Sequence, residues 1–303
     1  SGAVPDGGVD PDARAAVDAS IAAVAGAADA FPGEDGAFPG DDGASRRFGG
    51  VARSYGAAGA ARIAAAHAVV VGVGGVGSWV AEALARCGIG RLTLIDLDHV
   101  AESNVNRQVH ALGSTLGASK VDTMAARIAD ISPSTRVDRI DEFVTVDNVA
   151  ALVPAGADVV VDAIDAPRAK AALIAHCVAL GVPVVVCGAA GGRLDPLALR
   201  RSDVADAKGD ALLASVRARL RRDHAFPRER GARFGVDAIW SPAPAGGAGG
   251  GGAGEAGEPP SCAGDRSRVI GNAGAAAADA VAALFAGRSP ARVPGAPRPA
   301  PSP

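Results

Sequence analysis

The chain has 303 residues, 49% hydrophobic but only 3% aromatic, and a formal net charge of −3. That length and apolar content suit one large α/β domain or two small ones with a substantial core. The four cysteines (Cys87, Cys177, Cys187, Cys262) form no CxxC pair, which excludes a zinc ribbon or a disulfide framework and points to reducing surroundings such as the cytoplasm. The longest near-apolar stretch, 269–287, carries Asp279 and several glycines, so a packed Ala-rich helix is expected there rather than a membrane span. No signal peptide is recognisable, and an opening on Ser1 rather than Met is what processing or truncation leaves. Charge is unevenly spread. Residues 1–45 hold nine acids against Arg14, a balance of −8, so residues 46–303 sum to +5. An acidic, Gly-rich segment of that kind is expected to be solvated and disordered.

Strand and helix patterns alternate from residue 68 onward. The apolar run 68–73 predicts a buried strand, and 78–87 the helix after it. Residues 91–96 ("RLTLID") read as a second strand, 119–131 as a helix, 136–140 as a strand and 147–153 as a short helix. The run 157–164 ("ADVVVDAI") predicts a strand, 167–180 a helix and 182–187 another strand. This β-α-β order with all-apolar strands predicts a Rossmann-like, mostly parallel sheet with helices on both faces. After Gly192 an irregular C-terminal extension is expected. It has an extended segment at 194–201, a helix at 210–222, a strand at 234–241 ("FGVDAIWS") and a last helix near 271–286. The low-complexity stretch 242–260 reads as a mobile loop.

Gly72, Gly74, Gly75 and Gly77 form GxGGxG at the first strand-to-helix turn. Such glycines let backbone approach phosphates, and the helix start offers free N–H groups and a positive dipole. Asp96 ends the next strand, nineteen residues after Gly77, where a carboxylate can accept hydrogen bonds from ribose hydroxyls. The loop alone suits NAD as well as ATP. The stretch 96–120, "DLDHVAESNVNRQVHALGSTLGASK", separates them. Asp98, Asn104, Asn106, Arg107 and Gln108 lead to Lys120 at a helix start, and two cations with amides suit a triphosphate from which pyrophosphate leaves. A solvated loop capping two helices is the plainer alternative.

With "LIDxDxVxxSNxNRQ", "GxxK" and "DAID" following the glycine loop, the chain resembles the ATP-dependent carboxylate-adenylating superfamily. Its members include ubiquitin-activating enzymes and the sulfur-carrier activators of thiamin and molybdopterin synthesis. "RFGGVARSYG", "VHALGSTLGASK" and "DAIDAPRAKAALIAHC" are most similar to the branch that dehydrates threonylcarbamoyladenosine in tRNA, and the likeness covers roughly 46–240. The resemblance implies ATP and Mg2+ as cofactors. It assigns Asp96 to the ribose, with Asp98 beside it, and Arg107 and Lys120 to the triphosphate, in a pocket shaped by Asn104 and Asn106. Asp165 is implied to be a magnesium-associated carboxylate, with helix N-capping ahead of Pro167 as the structural alternative. An arginine from the N-terminal segment completes such sites, often from a partner subunit. Arg47 and Arg53 are both candidates, with Arg53 preferred.

The implied division is an acidic segment 1–45, an ATP-binding adenylating domain 46–240, a Gly-rich loop 241–265, a C-terminal helix 266–288 on the core and a tail 289–303. Homodimerisation, a tRNA substrate, a sulfur-mobilisation protein partner and a cytoplasmic setting, or a mitochondrial one in a eukaryote, are further implications. The runner-up activity is adenylation of a ubiquitin-like or sulfur-carrier C-terminus, and a non-catalytic nucleotide sensor is a third reading. Lack of CxxC pairs favours the dehydratase branch, which usually has a cysteine where this chain has Ala238. Cys87, Cys177 and Cys187 read as buried structural thiols, and no base or cation is recognisable beside Cys262 to activate it. The five histidines show no ligand spacing. Residues 200–233 hold ten basic residues against five acids, a surplus that could meet a tRNA backbone or be a solvated Arg-rich helix.

Overall fold

The computed structural model describes residues 43–154, 156–193, 195–242 and 267–285. The expectations for most of the acidic segment, for the Gly-rich loop with Cys262 and for the tail lie outside the described residues.

Seven strands form one sheet: β1 (His67–Val71), β2 (Arg91–Ile95), β3 (Arg136–Ile140), β4 (Val159–Asp162), β5 (Val184–Cys187), β6 (Arg200–Asp203) and β7 (Asp237–Trp240). Their spatial order is β3-β2-β1-β4-β5-β7-β6. Every pairing is parallel except that of the edge strand β6 with β7. The sheet is therefore the mostly parallel, helix-covered α/β arrangement read from the sequence. The helices are α1 (Gly43–Ala65), α2 (Gly75–Arg86), α3 (Lys120–Ile131), α4 (Val149–Leu152), α5 (Pro167–Leu180), α6 (Ala211–Asp223) and α7 (Ser267–Phe285).

The apolar strands alternate between two cores. Ala68 and Val70 of β1 face the core built with α2, α3 and α7, while Val69 and Val71 face the one built with α4, α5 and α6. Both faces are covered, which is why the central strands carry no polar face. Local chemistry sets the element ends. Ser119 and Asp210 cap α3 and α6 by accepting from the N–H groups of Asp122 and Leu213. Pro167 opens α5, and Gly181, left-handed at φ 69°, closes it.

Three differences from the sequence reading have physical causes. The strand expected to run to residue 164 stops at Asp162, whose carboxylate accepts from the Ile164 N–H and turns the chain. The extended segment expected at 194–201 becomes strand β6 at Arg200–Asp203, where β7 supplies antiparallel partners. Helix α1, broken at Gly56, has no counterpart among the elements the sequence predicts, because its Ala- and Gly-rich stretch has no strong apolar stripe. Among the described residues no helix is long and apolar enough to cross a membrane.

Candidate active site

Strand order reverses between β1 and β4, so the loops leaving their carboxyl ends diverge and open a crevice. Such switch points are where open α/β sheets bind ligands. The glycine loop lies on one side of it and the turn after β4 on the other.

The four glycines divide by cause. Gly72 has φ 85°, and a Cβ there would meet the Ala163 carbonyl at 3.1 Å; a Cβ on Gly77 would overlap the Gly72 carbonyl oxygen. These two are glycine because the loop folds onto itself and onto the β4 turn. Gly74 faces open space. It is the N-cap of α2, and no side-chain hydrogen bond caps that helix, nor is there an acid in its first turn. Uncapped N–H groups and a free approach are what a phosphate needs. Gly75 is the first residue of α2 itself.

Asp96 follows β2 and is 7% exposed. Its Oδ2 accepts from the Val73 N–H at 2.6 Å and its Oδ1 from the Asp98 N–H at 2.9 Å. Burial pushes its carboxyl above the usual range, opposed by those N–H donors and by Lys120. Asp98 is half exposed and grips Lys120: carboxylate Oδ2 and Nζ are 2.6 Å apart, and the Lys120 N–H donates to the Asp98 carbonyl at 3.0 Å. Lys120 itself is buried at the first position of α3. Asp96, Asp98 and Lys120 thus form one connected rim beside the glycine loop.

Asn104 is buried and structural in its contacts. Its Oδ1 accepts from the Ala101 N–H, and its carbonyl accepts from the N–H groups of Arg107 and Gln108. Asn106 Oδ1 and the Ser103 carbonyl hold the Arg107 guanidinium at 2.9 and 2.7 Å. The Trp79 indole, one turn into α2, donates to the Arg107 carbonyl at 2.9 Å. The "NVNRQ" segment is therefore pinned to the helix that starts in the glycine loop.

Asp165 is exposed on the turn after β4 and has no hydrogen bond or ion pair among the described residues. It does not cap α5, whose N-cap is Ala166 without a side-chain bond. Among the described residues no three His, Cys, Asp or Glu side chains gather into a metal cage. A cation here would rest on one carboxylate plus phosphate and water oxygens, the usual situation of magnesium. The donor set fits that ion.

Arg47 and Arg53 are separated by their contacts. Arg47 Nη1 donates to the last carbonyls of α3, those of Asp130 and Ile131, at 3.1 and 2.9 Å. Phe48 packs on Gly88, past the far end of α2 from the glycine loop. Arg53 is exposed on α1 and makes no hydrogen bond or ion pair among the described residues.

Most basic residues of the stretch 200–233 are exposed, and several are also paired within the chain. Arg201 pairs with Asp237, Arg222 with Asp223 and Arg233 with Asp203. Arg217 is bound to the Val204 and Ala207 carbonyls, and Arg221 lies over the Phe234 ring at 5.1 Å. Asp210, the N-cap of helix α6, also accepts from the Ala189 N–H beyond β5.

Burial pushes the Cys177 and Cys187 thiols up to about 12 and also raises Cys87, so none of the three is a nucleophile at neutral pH. Two features escaped the sequence reading. One is the buried Asp162–Lys170 pair under the β4 turn, signalled only by a lone lysine in the apolar run "AKAALIAHC". The other is His110, whose burial beside Lys120 no spacing rule reveals.

Comparison with known proteins agrees with this fold. The model of the ThiF family matches residues 49–204. The chain is 49% identical over 176 residues to the tRNA threonylcarbamoyladenosine dehydratase of Escherichia coli, covering 58% of this chain and 66% of that protein. It is 44% identical over 184 residues to that of Haemophilus influenzae, covering 61% and 70%. The aligned stretch thus spans about two thirds of these relatives. The crystal structure of the Escherichia coli tRNA N6-threonylcarbamoyladenosine dehydratase in complex with ATP superposes with a TM-score of 0.73 at 41% identity, covering 80% of this chain and 95% of that one. The chain belongs to the ThiF family.

Proposed function

We propose that this protein dehydrates threonylcarbamoyladenosine in tRNA to its cyclic form, using ATP. The observation that carries the reading is the crevice itself. An uncapped helix start behind Gly74, the Lys120 ammonium and the Asp165 carboxylate, unpartnered among the described residues, surround one switch point, in a chain 49% identical over 176 residues to a named dehydratase.

A carboxylate is a poor electrophile because its leaving group would be oxide. Attack of the threonyl carboxylate oxygen on the α-phosphorus of ATP forms an O–P bond and expels pyrophosphate. The acyl-adenylate then carries AMP as its leaving group. The neighbouring carbamoyl group closes on the activated carbonyl, losing a proton as AMP departs, and tethering gives it a large effective concentration. The nucleoside loses the elements of one water and ATP becomes AMP and pyrophosphate. No protein nucleophile is required.

In this reading Asp96 receives the ribose hydroxyls while bracing the glycine loop. The glycine-loop N–H groups cradle the phosphates, with Asn104 and Asn106 shaping the neighbouring segment. Arg107 and Lys120 neutralise charge as pyrophosphate leaves. Asp165 holds magnesium, which when bound draws charge from the phosphate oxygens. Arg53, exposed on α1, is assigned to complete the site, from the second copy of a homodimer. The cytoplasm is the expected setting, and a sulfur-mobilising protein the expected partner.

Mass spectrometry of tRNA nucleosides after incubation with protein and ATP tests the proposal. Conversion of threonylcarbamoyladenosine to a product lighter by one water is expected. Pyrophosphate exchange stimulated by a Gly-Gly-tailed carrier protein and not by modified tRNA would replace it with the carrier-activating reading.

A further inference from the structure

Lys170 lies wholly inside the protein, on α5 beneath the turn that leaves β4, with its partner Asp162 equally buried. Burying an ammonium and a carboxylate is costly, and an apolar pair of similar volume commonly serves stability as well or better. The geometry shows what the charge does here. Lys170 Nζ donates to Asp162 Oδ1 at 2.8 Å, to the Asp162 carbonyl at 3.0 Å and to the Ile164 carbonyl at 2.9 Å. Its three N–H bonds are thereby satisfied, and every acceptor belongs to the three residues immediately before Asp165. The Ile164 N–H returns to Asp162 Oδ1 at 3.2 Å, closing the turn on itself. This same turn forms the wall against which Gly72 and Gly77 pack, through Ala163 and Ile164. Asp162 Oδ2 has no partner among the described residues, so the carboxylate serves the turn through one oxygen and carries an unsatisfied one, a poor arrangement if stability alone mattered.

We propose that Lys170 is a positioning residue of the adenylating centre: with Asp162 it fixes the turn at 162–165, and so holds the Asp165 carboxylate in register with the glycine loop. The inference rests on the reading that Asp165 holds magnesium, and it extends that site inward to a group that never touches nucleotide. A long cation is suited to the task because its single nitrogen reaches two backbone carbonyls and a carboxylate at once, whereas an apolar core would leave those carbonyls unsatisfied and the turn free to adjust.

The full chain carrying both Lys170→Met and Asp162→Asn removes the charge pair without stranding a buried ion. It is compared with the native chain and with Asp165→Asn, using calorimetric titration of ATP over a magnesium series and amide hydrogen exchange at residues 163–165. The double variant is expected to fold, to need roughly tenfold more magnesium to tighten ATP binding beyond its own magnesium-free affinity, and to exchange those amides faster by a similar factor. A folded double variant with native magnesium dependence and native exchange would overturn the inference. Failure of the double variant to fold would also overturn it, since a structural role would then suffice. If Asp165→Asn leaves the magnesium dependence unchanged while the double variant still loosens the turn, the metal role of Asp165 fails and the bracing of the turn stands.

Discussion

Val73 donates its backbone N–H to Asp96 Oδ2 at 2.6 Å, so the carboxylate assigned to the ribose is also a strut of the glycine loop. The two roles are compatible because each carboxylate oxygen carries two lone pairs and uses one on backbone. They also bind ligand affinity and fold stability to a single side chain. Asp96→Ala leaves the buried Val73 N–H without an acceptor, at a cost of about 1–3 kcal/mol. Denaturant unfolding is expected to show that loss, and titration with ATP a fall in affinity of roughly tenfold or more. Unchanged stability in this variant would show that the loop does not depend on the strut.

Two glycines in the same loop should differ in what they cost the fold. Gly77→Ala places a Cβ inside the Gly72 carbonyl, so the loop must open or the helix start must shift. Loss of thermal stability and of ATP binding together is the expected result. Gly74→Ala adds a methyl group to open space, costing about 1 kcal/mol or less at an N-cap. ATP binding should nevertheless weaken, because the methyl group occupies the path of a phosphate. A Gly74→Ala protein binding ATP normally would place the phosphates elsewhere.

The sequence made these glycines, Asp96 and Lys120 visible because their constraints are local: a turn, a strand end, a helix start. Helix α5 was legible to the residue, since Pro167 and Gly181 mark its ends chemically. Helix α1 was not, because long-range anchors hold it, Arg47 on α3 and Tyr55 on Asp279, rather than an apolar stripe. The choice between Arg47 and Arg53 was likewise invisible in sequence, where both are arginines on one short stretch. Charge counted over 200–233 likewise says nothing of where each cation points. Composition cannot tell an arginine facing solvent from one folded over Phe234 or tied to a buried carbonyl. Lys170 hid in the same way, as one lysine in an apolar helix whose three acceptors are set by the turn it folds back upon.

His110 supplies a pH dependence. It is 2% exposed, and both ring nitrogens lack partners among the described residues. Burial, reinforced by the charges of Lys120 and Arg127, pushes its pKa down to about 4. The unfolded chain takes up a proton there near 6.5 while the folded chain does not until about 4. Stability from the neutral ring is therefore complete above the unfolded value and is lost as pH falls from 6.5 toward 4, by about 3 kcal/mol at most. His67, also lowered, first by burial and then by Arg91, acts in the same direction. Denaturant curves at pH 7 and pH 4.5, in the native chain and in His110→Leu, separate the two. A shallower decline in the variant is expected, and an identical decline would assign the effect to other groups.

Arg53 and Lys120 provide a test of the shared site. Arg53→Ala removes an exposed side chain without partners among the described residues, so stability should change by no more than about 0.5 kcal/mol. Arg47→Ala, by contrast, strips two hydrogen bonds from the end of α3 and should cost about 1 kcal/mol. Lys120→Ala should slow AMP formation by roughly a hundredfold or more, with a small stability cost because its partner Asp98 is 51% exposed and rehydrates. If Arg53 serves the neighbouring copy, each variant alone is inactive at both sites of a homodimer. Unfolding and refolding an equimolar mixture of Arg53→Ala and Lys120→Ala would form mixed dimers, in which one of the two sites has both residues intact. Half the dimers are then mixed, and about one quarter of native activity should return. If Arg53 acted within its own chain, every site would lack one residue or the other and mixing would restore nothing.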